Sequence, residues 1–151
     1  MDFLTYTCPR ELEAVTAKAA AVWNEVMRDL VRIEQVPVGT RPHITIVWSD
    51  KLRTAEHPQR IGNCARIAPD TWLIRLDSLR KWAISPWARF WGNGQDALAA
   101  LVHELGHVFN LPHAGDPAYV MHTAIGGNGK LSRREKDHYR QWFLKLLESE
   151  K

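Results

Sequence analysis

The chain has 151 residues, a length that suits one domain with its own hydrophobic core. Its net charge of +3 is small, and basic residues alternate with acidic ones, so nothing indicates a nucleic-acid-binding surface. No stretch approaches the roughly 18 consecutive apolar residues of a membrane span. We therefore expect a single monomeric domain over residues 1–151 that binds neither nucleic acid nor membrane.

The N-terminal residues bear on where the protein is found. Met1 to Leu4 lack the basic and apolar pattern of a signal peptide. The chain is therefore expected either to be made without a secretion signal and stay in the cytoplasm, or to be a trimmed part of a secreted protein. The two cysteines, Cys8 and Cys64, are too few for a disulfide framework.

The first half of the chain reads as strands around one long helix. Residues 3–7 alternate apolar and polar side chains, which predicts a first strand. A helix should begin near Pro9, and further strands are predicted over residues 31–36 and 43–48. The apolar residues of the helix recur at helical spacing and should face a sheet. These residues are Leu12, Val15, Ala19, Val22, Val26 and Leu30.

The middle of the chain predicts two further strands and an aromatic segment. Residues 49–63 are polar and irregular, whereas residues 64–68 and 71–77 are predicted to be strands joined by a tight turn. Four aromatic residues then precede the next helix, and we expect them to pack in the core or in the wall of a site. They are Trp82, Trp87, Phe90 and Trp91.

The segment HELGHVFNLPH, residues 103–113, carries the strongest chemical signal. Residues four apart on a helix lie on one face, so the imidazoles of His103 and His107 can bind one metal ion. Glu104 points about 100° around the helix and would lie beside an open coordination position. Residues 110–112 should end the helix, so that His113 can turn back as a third ligand.

Three protein ligands with one open position are typical of catalytic zinc sites, whereas structural zinc sites use four protein ligands. The alternative interpretation is an ordinary helix surface, because the pattern H-E-x-x-H is short. The helix-forming residues before His103, the third histidine and Met121 eight residues later favour the zinc site.

The long form of this motif, followed by Met121, resembles the metzincin peptidases, and among them the matrixin catalytic domain. The resemblance extends over nearly the whole chain, including residues 21–26 and 30–33, residues 43–47 and the Leu131-Ser132 start of a last helix. It implies an α+β, zincin-like fold. Its twisted five-stranded sheet would be mainly parallel, with one antiparallel edge strand and about three helices.

The resemblance also implies how the site works. One zinc ion would be bound by His103, His107 and His113, while Glu104 would act as the general base that moves the proton of the attacking water. Met121 would form an apolar floor beneath the imidazoles. The expected activity is zinc metalloendopeptidase activity on a protein or peptide substrate.

The same resemblance places the substrate and the cysteines. Residues Cys64, Ala65, Arg66 and Ile67 would belong to the edge strand, to which an extended peptide can add itself as a further strand. The alternative is an edge strand that only ends the sheet. Cys8 and Cys64 would lie on strands that are not neighbours, so we expect two free thiols.

The sequence departs from the family pattern in three respects. Asn110 replaces the glycine of the helix-ending turn, and asparagine is the side chain that best tolerates left-handed backbone. His122 and Thr123 follow Met121 where the family usually has tyrosine. The histidines of the family's structural zinc have no clear counterparts apart from His57, so neither a second zinc ion nor calcium is expected.

The last helix should begin at Ser132, which forms the pattern of a capping box with Glu135. Two other functions stay open from the sequence. One is a catalytically idle module that binds zinc and peptides, although Glu104 would be superfluous there. The other is a zinc hydrolase of a non-protein substrate such as cell-wall peptide, because the motif determines the chemistry and the pocket walls determine the substrate.

Overall fold

The computed structural model describes residues 2–37, 39–125 and 127–150, and its central feature is a five-stranded sheet. The strands are β1 (Asp2–Thr7), β2 (Val31–Gln35), β3 (Ile44–Ser49), β4 (Gly62–Ala68) and β5 (Thr71–Asp77). Their order is β2-β1-β3-β5-β4, with every pair parallel except β4 and β5. The predicted mainly parallel sheet with an antiparallel edge strand is confirmed.

Helices and a small second sheet complete the α+β fold. The helices are α1 (Glu13–Met27), α2 (Pro86–Trp91), α3 (Ala97–Val108) and α4 (Arg133–Ser149). The two-residue strands β6 (Trp82–Ala83) and β7 (Gln95–Asp96) pair in parallel directly before α3. The resemblance implied about three helices, which correspond to the long helices α1, α3 and α4. The six-residue helix α2 was not expected.

The core lies between the sheet and helices α1 and α3. Alternate residues of β3 and β5 point into it, namely Ile44, Ile46, Ile74 and Leu76, as the two-residue repeat of a strand requires. Trp23 of α1 is fully buried, and its indole Nε1 donates a hydrogen bond to the Val102 carbonyl of α3 at 2.8 Å. This bond fixes α3 against the sheet through α1.

The aromatic segment before α3 does not pack as predicted. Trp87, Phe90 and Trp91 are 72%, 74% and 67% exposed, and only Trp82 is half-buried. The reason is that Ser85 caps a separate short helix, α2, on which the three exposed rings pack edge-to-face against each other. The prediction of core or site-wall packing was wrong for these three residues.

Ser132 caps helix α4, since its hydroxyl accepts a hydrogen bond from the Glu135 amide at 3.1 Å. The other half of the predicted capping box is absent from the hydrogen bonds of the described residues, because the Glu135 carboxylate points inward. It instead accepts a hydrogen bond from the Val120 amide at 2.6 Å.

In the part of the chain that the structure describes, no helix is both long enough and apolar enough to cross a membrane.

Candidate metal centre

Helix α3 carries the first two histidines of the site. Asp96 caps the helix by accepting a hydrogen bond from the Ala99 amide at 3.1 Å, and the alanine- and leucine-rich segment that follows is buried on nearly every face. His103 and His107 lie one turn apart on it, with their ring centroids 4.9 Å apart and their Nε2 atoms 3.2 Å apart. The predicted alignment on one helix face is present.

The helix ends at a left-handed residue, and this turn positions the third histidine. Asn110 has φ of 59°, the conformation that the replaced glycine would adopt, so the predicted turn is present. The ring of His113 then lies 5.3 Å from that of His103 and 4.9 Å from that of His107. One nitrogen from each of the three rings falls within 4.8 Å of the other two.

This donor set fits a zinc ion. Two nitrogen ligands at about 2.0–2.1 Å from a tetrahedral metal are about 3.3 Å apart, close to the separation of the two Nε2 atoms of His103 and His107. A third imidazole on the same side leaves one position open. Among the described residues, these three histidines are also the one group of His, Cys, Asp or Glu arranged to hold a metal ion.

The outer nitrogens of the helix histidines are fixed by backbone carbonyls. Nδ1 of His103 donates to the Val120 carbonyl at 2.6 Å, and Nδ1 of His107 donates to the Leu111 carbonyl at 2.9 Å. Since each Nδ1 carries the proton, each Nε2 is left as a free lone-pair donor. Burial lowers the pKa of His103 to about 4 and also lowers that of His107, which favours the neutral, metal-binding form.

Met121 lies where the resemblance placed it, fully buried beneath the ligand helix. A Cβ atom on Gly106 would be 2.4 Å from the Met121 sulfur, so only glycine allows this approach. The loop that carries Met121 is held by α4. The Tyr139 hydroxyl accepts a hydrogen bond from the Met121 amide at 3.3 Å and donates one to Glu135 at 2.5 Å.

Glu104 is 3% exposed and faces the space beside the three histidines. Its Oε1 lies 3.9 Å from Nε2 of His103, and its Oε2 has no hydrogen-bond partner among the described residues. Burial raises the pKa of the Glu104 carboxyl to about 8, and the positive charge of Arg60 partly opposes the increase. A divalent cation beside it would favour the ionised carboxylate further.

Strand β4 forms the edge of the sheet and borders the same site. A cavity of about 500 Å³ lies between β4 and α3, and its lining includes Cys64, Arg66, Glu104 and His107. The pairing of β4 with β5 is irregular at Ile67, whose side chain is 59% exposed. The four predicted edge-strand residues therefore lie on one strand, at an open edge beside the histidines.

Three further sets of residues bear on the site, namely His122, the two cysteines and two arginines. His122 lies next to Met121, but its imidazole contacts the Ala124 backbone and is not part of the ligand group. Both cysteines are free, as expected. Arg60 and Arg80 line a second cavity next to Glu104, and they were not identified from the sequence, because no motif marks isolated arginines in a loop.

Comparison with known proteins agrees with this geometry. The model of a family described as Matrixin, Peptidase_M10, matches residues 4–141 of the chain. No curated protein matches it.

Proposed function

The chain belongs to the matrixin family, and from this premise we propose that it is a zinc-dependent endopeptidase with Glu104 as its general base. Matrixins are zinc metallopeptidases, so the class of activity follows from the family. The roles of individual residues are our proposal. The observation that supports it best is the buried Glu104 carboxylate, which lies beside three convergent imidazoles and has one oxygen without a partner among the residues that the structure describes.

His103, His107 and His113 would hold the zinc ion. When bound, zinc supplies a Lewis acid that makes water acidic near neutral pH and stabilises negative charge on a carbonyl oxygen. Burial favours the neutral form of His103 and His107, and the carbonyls of Val120 and Leu111 orient the two rings. The rings therefore need little reorientation before metal binding.

Glu104 would move the proton. Its carboxylate takes a proton from the attacking water and then delivers it to the nitrogen of the leaving amine. The tight packing of Gly62 against Glu104 supports this role, because a Cβ atom on Gly62 would lie 3.3 Å from both Cγ and Oε1. Little free space is therefore left on that side of the carboxylate, which restricts its movement during proton transfer.

The substrate would bind as an extended peptide along β4. An edge strand offers unpaired backbone groups, and β4 presents them next to Glu104 and the histidines. We also propose that residues 1–151 form a single catalytic domain. One hydrophobic cluster supports this, because it includes buried residues of β1, α1, β3, β5, α3 and α4.

Digestion of unfolded casein by the zinc-loaded protein tests the proposal, with the products identified by mass spectrometry. We expect internal peptide bonds to be cut, cutting to stop on chelation, and activity to return with added zinc. A parallel digestion of peptidoglycan separates a cell-wall hydrolase from a peptidase of proteins. If zinc binds but neither substrate is cut, the endopeptidase proposal is wrong and a peptide-binding role replaces it.

A further inference from the structure

Two arginines, Arg60 and Arg80, face the site and have no described carboxylate partner. They line a cavity of about 610 Å³ that also contains His103, Glu104 and the start of the loop after Met121. Neither guanidinium forms an ion pair with any residue of the ranges 2–37, 39–125 and 127–150. Both side chains are half-buried.

Four other arginines of the chain are paired with acids. Asp77 pairs with Arg53 at 2.7 Å, Asp96 with Arg89 at 3.2 Å, Glu34 with Arg32 at 2.9 Å and Asp29 with Arg140 at 3.1 Å. Arg80 differs from these four, because its Nε is fully shielded from solvent and has no hydrogen-bond partner among the described residues. The Nε of Arg75 is in the same condition, but the Arg75 guanidinium donates a hydrogen bond to Asn63 through Nη2 at 3.1 Å, whereas the described residues give the Arg80 guanidinium no partner at all. A buried donor without a partner is costly, and a ligand that supplied an acceptor would remove that cost.

The charges around the cavity favour an anion. Besides Glu104, its described lining contains one acidic residue, Glu56, which is exposed. Arg66 adds a further positive charge along β4, with its guanidinium carbon 5.7 Å from the centre of the Trp72 ring. The planar guanidinium group offers paired N–H donors that match the two oxygens of a carboxylate.

We propose that Arg80, with Arg60 beside it, forms a carboxylate-binding subsite that selects acidic peptides for cleavage. This proposal rests on the endopeptidase function above. The bound group would be the side chain of an Asp or Glu next to the scissile bond, on the Arg80 side of the metal site. A free C-terminal carboxylate has the same chemistry, so the test must separate these two sources.

The first measurement is digestion of a mixed peptide library by the zinc-loaded protein and by its Arg80→Met and Arg80→Lys variants. All peptides carry amidated C-termini, and a second library has free C-termini. We expect Asp and Glu to be enriched at one position flanking the cut in the amidated library. The enrichment should fall about 10- to 100-fold in Arg80→Met, in line with loss of a charge-assisted hydrogen bond, and by less in Arg80→Lys.

Lys81→Met is the matched control, because Lys81 is the neighbouring exposed cation and is not part of the cavity lining. It should keep the acidic preference. Thermal unfolding of each variant shows whether it is folded, and Arg80→Lys retains a cation if Arg80→Met is unstable. Absence of acidic enrichment, or enrichment that Arg80→Met leaves unchanged, overturns the proposal. Cleavage confined to free C-termini would overturn the side-chain assignment.

A binding measurement distinguishes failure of this proposal from failure of the endopeptidase function. Two dansyl-labelled, amidated peptide pools differ only in having Glu or Gln at the acidic positions, and their binding is measured by fluorescence anisotropy on the Glu104→Gln protein. Suppose that the Glu pool binds more tightly, that this preference depends on Arg80, and that the wild type cuts no substrate. This result would support the subsite and refute the endopeptidase function. Cleavage by the wild type without any preference for the Glu pool would support the endopeptidase function and overturn the subsite.

Discussion

The three candidate zinc ligands belong to two regions of different character. His103 and His107 lie on α3, and each has its outer nitrogen hydrogen-bonded to a backbone carbonyl. His113 lies on the exposed segment after the helix, and its imidazole has no hydrogen-bond partner among the described residues. The helix region thus has a fixed geometry before any metal binds, whereas the loop region is held mainly by its backbone turn.

The difference shows how such a site can be built from short sequence signals. The helix supplies two ligands at a spacing that its own geometry determines. The loop supplies the third ligand only because Asn110 reverses the chain, and the metal itself would provide the remaining order. Substitutions should therefore affect the two regions unequally.

The largest expected effect is on zinc affinity. His103→Ala should lower zinc affinity by more than about 100-fold, beyond the loss typical for residues that only support a ligand. His113→Ala should lower zinc affinity by less. The His113 imidazole has no hydrogen-bond partner among the described residues, so it loses more conformational freedom when it binds zinc. Competition with a chromogenic chelator measures both, with His138→Ala as control. Equal losses would show that the two regions contribute alike.

The burial of Cys64 on β4, beside the site, should suppress the reactivity of its thiol. Burial raises the pKa of this thiol to about 12, so it stays protonated throughout the neutral and moderately alkaline range. Because only the thiolate reacts, alkylation by iodoacetamide at pH 8 should be at least about 100-fold slower than for a cysteine in an unstructured peptide. The rate should still rise with pH above pH 10. A plateau below pH 10 would contradict the burial of Cys64.

Close packing on the helix side predicts a loss of stability in Gly106→Ala. The added Cβ would lie 2.4 Å from the Met121 sulfur and 2.9 Å from Cζ2 of Trp23, and both neighbours are fully buried. Such overpacking should lower the free energy of unfolding by about 1–3 kcal/mol. Gly115→Ala is the loop control, because nothing lies within 4 Å of its added Cβ. Urea unfolding that gave equal values for the two variants would refute this contrast.

The turn between the two regions predicts the smallest effect. Asn110→Ala should lower the free energy of unfolding by about 1 kcal/mol, since alanine tolerates left-handed backbone poorly. Asn110→Gly should be neutral within a few tenths of a kcal/mol. The midpoint of urea unfolding measures both. A more stable alanine variant would mean that residue 110 does not need positive φ.

The sequence predicted those parts of the fold and site that depend on local spacing. His103, His107 and the left-handed Asn110 are determined by residues within one or two helical turns, and β5 was predicted with the bounds that the structure has. Arg80 and the inward turn of Glu135 could not be predicted in this way. Both depend on which distant backbone lies opposite, namely the cavity beside Glu104 and the amide of Val120.

The exposed helix α2 is another feature that could not be predicted from the sequence. Trp87, Phe90 and Trp91 are residues that most often enter a core, yet all three are exposed on the short helix α2. Hydrophobicity alone could not reveal that the chain forms a separate capped turn there.

The proposed function depends on Glu104 as the base and on the three histidines as the metal site. Its most direct test compares the kcat/KM for casein peptides and the bound zinc of wild type, Glu104→Gln and the control Glu148→Gln, whose residue is exposed at the end of α4. We expect one zinc ion in all three proteins, with kcat/KM reduced at least about 100-fold only in Glu104→Gln. A Glu104→Gln protein that binds zinc and cuts as fast as wild type would contradict it.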